Sequence, residues 1–289
     1  MVLGSGLAVR MGYRVTGQAP ALSGQLGGAV FLQNLPSLVV GHVLAPKPGD
    51  VVLDACAAPG GKTCHVASLM DGKGVLVACD MSAARSRIVR DNLDAFASNF
   101  ANAFVCKLDA GISHDGVAAP PPHQQTTAEL LRVLNAAPLI DGGVRRLQPG
   151  SLPLEAFDRI LCDVPCSGLG IRPRLKHDVT VEGLEHVQAA QMRIVGACVP
   201  LLKPGGVLVY STCSFNPMEN EHMVRWMVDK QRLKLVAAAP KYGGDGLVGA
   251  GMLTQDESPL VQRFCPSDVE RDTMGFFIAK FEKPPRHSS

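Results

Sequence analysis

Short apolar runs alternate with helical patterns along most of this chain. Helical spacing of apolar positions predicts helices over residues 30–44, 63–70, 82–96, 182–199 and 219–229. Apolar runs of four to seven residues predict strands over 51–54, 74–80, 103–109, 159–163, 207–211 and 276–281. Because strands and helices alternate, we predict an α/β fold with a doubly wound, mostly parallel sheet.

Two segments depart from this alternation. Residues 111–155 contain a proline-rich stretch, a short helix predicted over 128–135 and two glycine turns, so we expect an inserted surface loop. Residues 1–28 are rich in glycine and have no clear period, and we expect a remnant of another domain with its linker. The predicted α/β domain therefore covers residues 29–289.

Composition excludes several classes of protein. The chain has 289 residues, of which 46% are hydrophobic and 19% charged, as in globular rather than disordered proteins. The sequence has no apolar run of roughly 18 residues, so we expect no membrane span, and its first residues make a poor secretory signal. Its nine cysteines include no C-x-x-C pair, which favours a reduced, intracellular and cytoplasmic protein without a metal site. A net charge of +2 permits nucleic-acid binding without requiring it.

Acidic residues end four of the predicted strands. These residues are Asp54, Asp80, Asp109 and Asp163, and the next strand runs into Cys213. In a doubly wound sheet, ligands bind beyond the carboxyl ends of the strands. We therefore expect a ligand site at this edge of the sheet.

The first turn nearly matches a phosphate-binding loop. Residues 54–63 read DACAAPGGKT, in which Cys56 stands where G-x-x-x-x-G-K-[ST] has its first glycine. A P-loop NTPase is thus one hypothesis, with Asp163 as the acid that holds magnesium. Pro59 argues against a loop that wraps around a phosphate group. Asp80 stands at the position where a carboxylate binds ribose hydroxyls in such folds. A nucleoside cofactor without a pyrophosphate fits better, and S-adenosylmethionine is such a cofactor.

Two cysteines follow strands that lead to the same edge. Cys166 and Cys213 lie in loops, whereas Cys64, Cys79, Cys106, Cys162 and Cys198 fall inside strand or helix patterns and read as packing residues. A thiolate and S-adenosylmethionine together serve methylation of a pyrimidine ring carbon, because thiolate addition at C6 makes C5 nucleophilic. From the residues alone, either cysteine is a candidate nucleophile.

Three motifs carry a family resemblance. LDACAAPGGKT, FDRILCDVPCSGLG and GGVLVYSTCSFNPMENE resemble the RNA cytosine-5 methyltransferases of the Nop/Sun family. The resemblance extends over about residues 30–283 apart from the insert. FLQNLPS and MGFFIAKFEK look most like the sixth member of the NSun branch, which carries an RNA-binding PUA domain. It implies a Rossmann-like class I methyltransferase fold, with residues 1–28 as the remnant of a PUA-like domain.

The resemblance also implies roles for individual residues. Cys213 would be the nucleophile, Cys166 would assist product release, and Lys62 and Asp163 would contact the cytosine. Asp80 would bind the cofactor ribose, Asp109 would lie near the adenine, and Asp163 would also face the cofactor. The methionine part of the cofactor would be lined by Cys56, Ala57, Ala58, Pro59, Gly60, Gly61 and Lys62.

The expected partner is RNA, a tRNA first and an mRNA second, bound by a monomer. A non-catalytic RNA-binding module on the same fold remains a third hypothesis. The presence together of Lys62, Asp163, Cys166 and Cys213 argues against it, because a protein without catalysis has no chemical need for all four.

Overall fold

The computed structural model describes residues 31–110, 127–172, 176–268 and 272–286. The expectations for residues 1–28 and for the proline-rich part of the insert, 111–126, fall outside the described residues. No helix within the described ranges is long and apolar enough to cross a membrane.

The first half of the fold alternates strands and helices as predicted up to its third strand, and then adds two strands that were not predicted. Its helices are α1 (Leu35–Leu44), α2 (Gly61–Leu69), α3 (Ala83–Phe96) and α4 (Thr127–Ala136). Its strands are β1 (Val51–Asp54), β2 (Val75–Asp80), β3 (Ala103–Lys107), β4 (Leu139–Ile140) and β5 (Val144–Arg146). Helix α3 begins after Ser82, whose side chain accepts a hydrogen bond from the backbone N–H of Arg85 as an N-cap does.

The second half adds two helices and five strands among the described residues. The helices are α5 (Val181–Cys198) and α6 (Glu221–Asp229), and a short 3₁₀ turn, Pro217–Glu219, precedes α6. The strands are β6 (Phe157–Asp163), β7 (Leu202–Thr212), β8 (Lys234–Val236), β9 (Gln262–Phe264) and β10 (Phe276–Glu282).

All ten strands belong to one sheet. Its order is β4-β5-β3-β2-β1-β6-β7-β10-β8, with β9 also paired to β10. The six strands from β5 to β7 are parallel, whereas β4, β8, β9 and β10 pair antiparallel with their neighbours. The chain runs outward from β1 to β5 on one side and resumes at β6 on the other. The junction of β1 and β6 is therefore a switch point, where such sheets bind ligands.

Helices cover both faces of the sheet, as a doubly wound fold requires. On one face, α1, α2 and α3 pack on Val52, Leu76, Ala78, Leu161 and Val209. On the other face, α4, α5 and α6 pack on Val51, Leu53, Val77, Cys162 and Tyr210. Alternate residues of the central strands thus enter opposite cores, which explains why these strands read as continuous apolar runs. The predicted fold class is confirmed.

The surface loop expected over 111–155 is wrong for residues 127–155. Helix α4 buries Leu130 and Leu134 in the core, and β5 extends the sheet by pairing parallel with β3. Leu130 and Leu134 are one helical turn apart, so α4 has an apolar face that must be covered. Strand β5 reads VRR, which has no apolar run, and its sequence therefore gave no strand signal.

Candidate active site

The loop between β1 and α2 is held in place mainly by backbone contacts. The backbone N–H of Ala57 donates to the carbonyl of Cys79 at 2.8 Å. Gly60 has a φ of 108°, and a Cβ on it would lie 3.2 Å from the Cα of Val89. Only glycine fits there without strain, so the predicted cofactor loop takes a fixed path into the N-terminus of α2.

Helix α3 fastens the same loop from outside. The amide of Asn92 donates to the carbonyl of Pro59 at 2.7 Å, and the Arg85 guanidinium donates to the carbonyl of Ala58 at 3.0 Å. Arg85 also lies 3.5 Å from the carboxylate of Asp80, which is buried at the end of β2. The N–H of Ser82 donates to the other Asp80 oxygen at 3.0 Å. Asp80 is therefore oriented beside the loop.

Asp54 ends β1 inside the protein. One carboxylate oxygen accepts a hydrogen bond from the Thr63 hydroxyl at 2.7 Å, whereas the other is buried and has no partner among the described residues. Burial raises the pKa of Asp54 to about 7, against the opposing effect of the Thr63 hydrogen bond. Burial likewise raises the pKa of the neighbouring Cys56 thiol, which makes Cys56 a poor nucleophile.

A cleft opens next to these residues, beyond the end of β3. Asp109 lies two residues after β3 and lines the cleft with Leu108, opposite Ala55 and Cys79. Its remaining wall includes Pro149, Gly150 and Leu152. The segment expected to be a surface insert thus helps to form the cleft, a contribution that the sequence pattern did not reveal.

An ion pair stands between the cofactor loop and the β6 end. The Lys62 ammonium lies 2.8 Å from the carboxylate of Asp163, whose other oxygen accepts a hydrogen bond from Ser211 at 2.7 Å. Burial by itself lowers the pKa of Lys62, but the Asp163 carboxylate outweighs it and the pKa lies above its ordinary value. The ammonium also lies 5.3 Å from the ring centre of Phe276.

The two loop cysteines are in contact. Their Sγ atoms are 3.1 Å apart, and both side chains are half-buried. A hydrogen bond from the Cys166 thiol lowers the pKa of Cys213, and the positive charge of Lys62 acts in the same direction. That hydrogen bond and burial raise the pKa of Cys166. The distance alone allows either thiol to donate, and the opposite directions of the two pKa shifts favour a Cys213 thiolate that accepts a hydrogen bond from a neutral Cys166 thiol.

A buried polar cluster behind the cysteines was not predicted. It consists of Gln191, Tyr210 and Glu219, all fully buried. One signal in the sequence was available, because each cysteine is followed by a serine, Ser167 or Ser214. Both serine hydroxyls donate to the Glu219 carboxylate.

Two further polar side chains lie after the Cys166 loop. Arg172 pairs with Asp272 at 3.2 Å, and Lys176 is exposed. Cys265 is exposed in a separate loop, and the five cysteines interpreted as packing residues are buried. Within the described ranges, no group of three histidine, cysteine or acidic residues is placed to hold a metal ion.

Two named proteins are similar to this chain over most of its length. Mouse tRNA (cytosine(72)-C(5))-methyltransferase NSUN6 is 37% identical over 92% of this chain and 55% of its own length. The rRNA (cytosine-C(5))-methyltransferase NOP2C of Arabidopsis thaliana is 37% identical over 98% of this chain and 58% of its own length. This chain thus spans little more than half of either relative.

A solved structure gives the same result for the fold. NSun6 from Pyrococcus horikoshii with SFG, an S-adenosylmethionine analogue, aligns with a TM-score of 0.69 and 33% identity. The alignment covers 92% of this chain and 56% of that one. Residues 41–282 match the family described as 16S rRNA methyltransferase RsmB/F. The resemblance noted in the sequence is confirmed, and the chain belongs to the RsmB/F methyltransferase family.

Proposed function

We propose that this protein methylates C5 of cytosine in RNA, using S-adenosylmethionine and a covalent bond between Cys213 and C6 of the base. The observation that carries the proposal is the cysteine pair, with Sγ atoms 3.1 Å apart and the Lys62 charge acting on Cys213. Methyl transfer without a covalent intermediate has no use for a thiolate held in this way. The named relatives, which methylate cytosine C5 in tRNA and rRNA, support the reaction.

The residues of the cofactor loop fit S-adenosylmethionine. The unpartnered oxygen of Asp54 is a buried acceptor, suited to the cationic amino group of a methionine moiety. Asp80 is an oriented carboxylate suited to ribose hydroxyls, and we assign the adenine to the neighbourhood of Asp109, which follows the adjacent strand β3. We assign the loop from Cys56 to Lys62 to the methionine part. When bound, the cofactor supplies an electrophilic methyl group.

The chain's own groups account for activation of the base. The Cys213 thiolate adds to C6, which breaks the C5–C6 double bond and leaves C5 electron-rich. Lys62 and Asp163 contact the ring, where the ammonium balances the charge that develops on it. After C5 is methylated, the C5 proton leaves to a base and the electron pair re-forms the double bond and expels Cys213. We assign to Cys166 a part in this release.

The RNA that we propose first is a tRNA, because NSUN6 relatives are tRNA methyltransferases, and an mRNA cytosine is second. We propose that the protein acts as a monomer in the cytoplasm. The P-loop hypothesis has less support, since a buried, unpartnered Asp54 oxygen in the same turn would repel phosphate. The non-catalytic hypothesis leaves the Cys166–Cys213 contact without a purpose.

The test is transfer of a labelled methyl group into RNA, followed by mapping of 5-methylcytosine. The wild-type protein and Cys265→Ala, which changes an exposed cysteine in a separate loop, should both label tRNA. Cys213→Ala should label none. Labelling by Cys213→Ala, or stabilisation by nucleoside triphosphate instead of S-adenosylmethionine, would refute the proposal.

A further inference from the structure

A carboxylate is buried behind the two cysteines. Glu219 is 0% exposed and ends the 3₁₀ turn that precedes α6. No lysine or arginine pairs with it within the described part of the chain. Burying a carboxylate costs free energy unless hydrogen bonds replace those it made to water, so the contacts of Glu219 decide whether this cost is met.

Four donors surround this carboxylate. One oxygen accepts from the backbone N–H of Ser167 at 2.8 Å and from the Gln191 amide at 3.2 Å. The other accepts from the hydroxyls of Ser167 at 2.5 Å and Ser214 at 2.7 Å. Every contact is a donor, which is the arrangement that an ionised carboxylate requires.

Three of the four donors come from the two cysteine loops, and the fourth, the Gln191 amide, comes from α5. Ser167 follows Cys166 after β6, and Ser214 follows Cys213 after β7, so a single side chain joins loops that are far apart in sequence. Gln191 extends the cluster, because its amide also donates to the carbonyl of Pro165 at 2.9 Å.

We propose that Glu219 is a positioning residue that holds the Cys166 and Cys213 loops together, so that the Cys166 thiol can donate to Cys213. The proposal rests on the proposed function only for its consequence in turnover. A thiol is a weak donor, and its contact with Cys213 needs a short separation. Two loops tied by backbone alone would let that separation vary, whereas a shared carboxylate fixes both.

The charged groups around the pair agree with this role. Cys213 faces the Lys62 ammonium and the Asp163 carboxylate, while Cys166 faces Glu219. The phenol of Tyr210, fully buried beside the cluster, contacts the carbonyl of Glu219 at 2.6 Å. The negative charge of Glu219 thus acts on Cys166, the cysteine that keeps its proton.

The test measures Cys213 alkylation by iodoacetamide against pH, with peptide mass spectrometry and the exposed Cys265 as internal reference. Glu219→Ala should move the Cys213 midpoint upward by about one pH unit, a loss of about tenfold in rate below the midpoint. Glu219→Gln keeps an acceptor for the N–H groups, and the serine hydroxyls can turn to accept from its amide. This variant should retain the wild-type midpoint.

A double-mutant cycle separates positioning from general damage. In a Cys166→Ala background the donor is already gone, so Glu219→Ala should shift the midpoint no further. If Glu219→Ala does not fold, Ser167→Ala with Ser214→Ala removes two of the contacts and should shift the midpoint in the same direction. Ser258→Ala, which removes another buried hydroxyl at a distance from the cysteines, should not.

An unchanged Cys213 midpoint in folded Glu219→Ala, or in the folded double variant Ser167→Ala with Ser214→Ala, would overturn the proposal. A full further shift on adding Glu219→Ala to the Cys166→Ala background would also overturn it. Alkylation needs neither RNA nor cofactor. If the midpoint moves as expected while methyl transfer proves independent of Cys213, the proposed function fails and the positioning role stands.

Discussion

Two carboxylates near the ligand edge of the sheet, Asp54 and Glu219, are equally buried but differ in how fully their oxygens are hydrogen-bonded. Asp54 has one oxygen hydrogen-bonded to Thr63 and one without a side-chain or backbone partner within hydrogen-bond geometry among the described residues. Glu219 has four donors shared between its two oxygens. An unsatisfied buried oxygen is a cost that a ligand can relieve, whereas a satisfied one stabilises its surroundings without any ligand.

The two halves of the site differ in the same sense. The cofactor half is a backbone loop, fixed by Gly60 and by donors from α3, with a carboxylate oxygen left open. The cysteine half is a side-chain network in which Glu219 is fully bonded. Ligand binding uses a polar group that still lacks a hydrogen-bond partner, whereas a nucleophile must be held in a fixed position before the substrate arrives. Mutations in the cysteine half should therefore act mainly on methyl transfer, and mutations in the cofactor half mainly on stability and cofactor affinity.

The largest effects are expected in the cysteine half. Cys213→Ala should lower methyl transfer by several orders of magnitude and form no adduct, because the bond to C6 cannot form. Cys166→Ala should still attack but release product slowly, so a denaturant-resistant protein–RNA adduct should accumulate. Denaturing gel electrophoresis with labelled RNA measures the adduct, and Cys265→Ala is the control. An adduct seen only with Cys213→Ala would reverse the two roles.

The next effect concerns the open oxygen of Asp54. The folded protein holds the Asp54 proton more tightly than an unfolded chain does, since the pKa rises from 3.8 to about 7. Stability should therefore fall as pH rises through that window, by about 4 kcal/mol in total. Asp54→Asn remains neutral and should be more stable than wild type at pH 8, with a smaller gain at pH 5.

Urea unfolding at the two pH values measures this difference. Asp245→Asn, an exposed carboxylate paired with Lys241, should change stability little at either pH. Asp54→Asn should also bind S-adenosylmethionine more weakly, because the acceptor for its amino group loses its charge. A variant with the wild-type pH dependence would mean that Asp54 is not the strained group of the cofactor half.

A smaller effect is expected at the other carboxylate of that half. Asp80→Ala removes the carboxylate that we propose for the cofactor ribose and should weaken cofactor binding by roughly 1.5–3 kcal/mol, the loss expected for charged hydrogen bonds. Calorimetry with S-adenosylmethionine measures the change, and Asp94→Ala on the exposed face of α3 serves as control. Unchanged affinity in Asp80→Ala would remove this residue from the site.

The sequence predicted the cofactor half more fully than the cysteine half. Acids at the ends of apolar strands and a glycine turn are local patterns, so the sequence alone was enough to propose Asp54, Asp80 and the loop from Cys56 to Lys62. The Cys166–Cys213 contact depends on β6 and β7 being neighbours, which a residue pattern does not state. The family resemblance, rather than the pattern, chose Cys213 as the nucleophile.

Residues that act through long-range contacts were missed for the same reason. Glu219 lies at the start of the helix predicted over 219–229, but two of its partners, Ser167 and Gln191, are 52 and 28 residues away along the chain, so the helical pattern did not reveal its contacts. The β5 strand was missed because two of its three residues are arginines, and its place is decided by pairing with β3. At β5, pairing with the neighbouring strand outweighs the local strand propensity. At Glu219, the hydrogen-bond partners are brought close only by the folded structure.

The smallest effect tests whether the cofactor half depends on its backbone or on its side chains. Ser82→Ala removes the N-cap of α3 and should lower stability by about 1 kcal/mol. The backbone N–H that donates to Asp80 at 3.0 Å remains, so cofactor affinity should fall much less than in Asp80→Ala. Thr180→Ala removes the equivalent cap of α5, far from Asp80, and provides the matched stability loss. Calorimetry on the three variants decides the question. If Ser82→Ala weakens binding as much as Asp80→Ala while Thr180→Ala does not, the serine side chain, and not the backbone, orients Asp80.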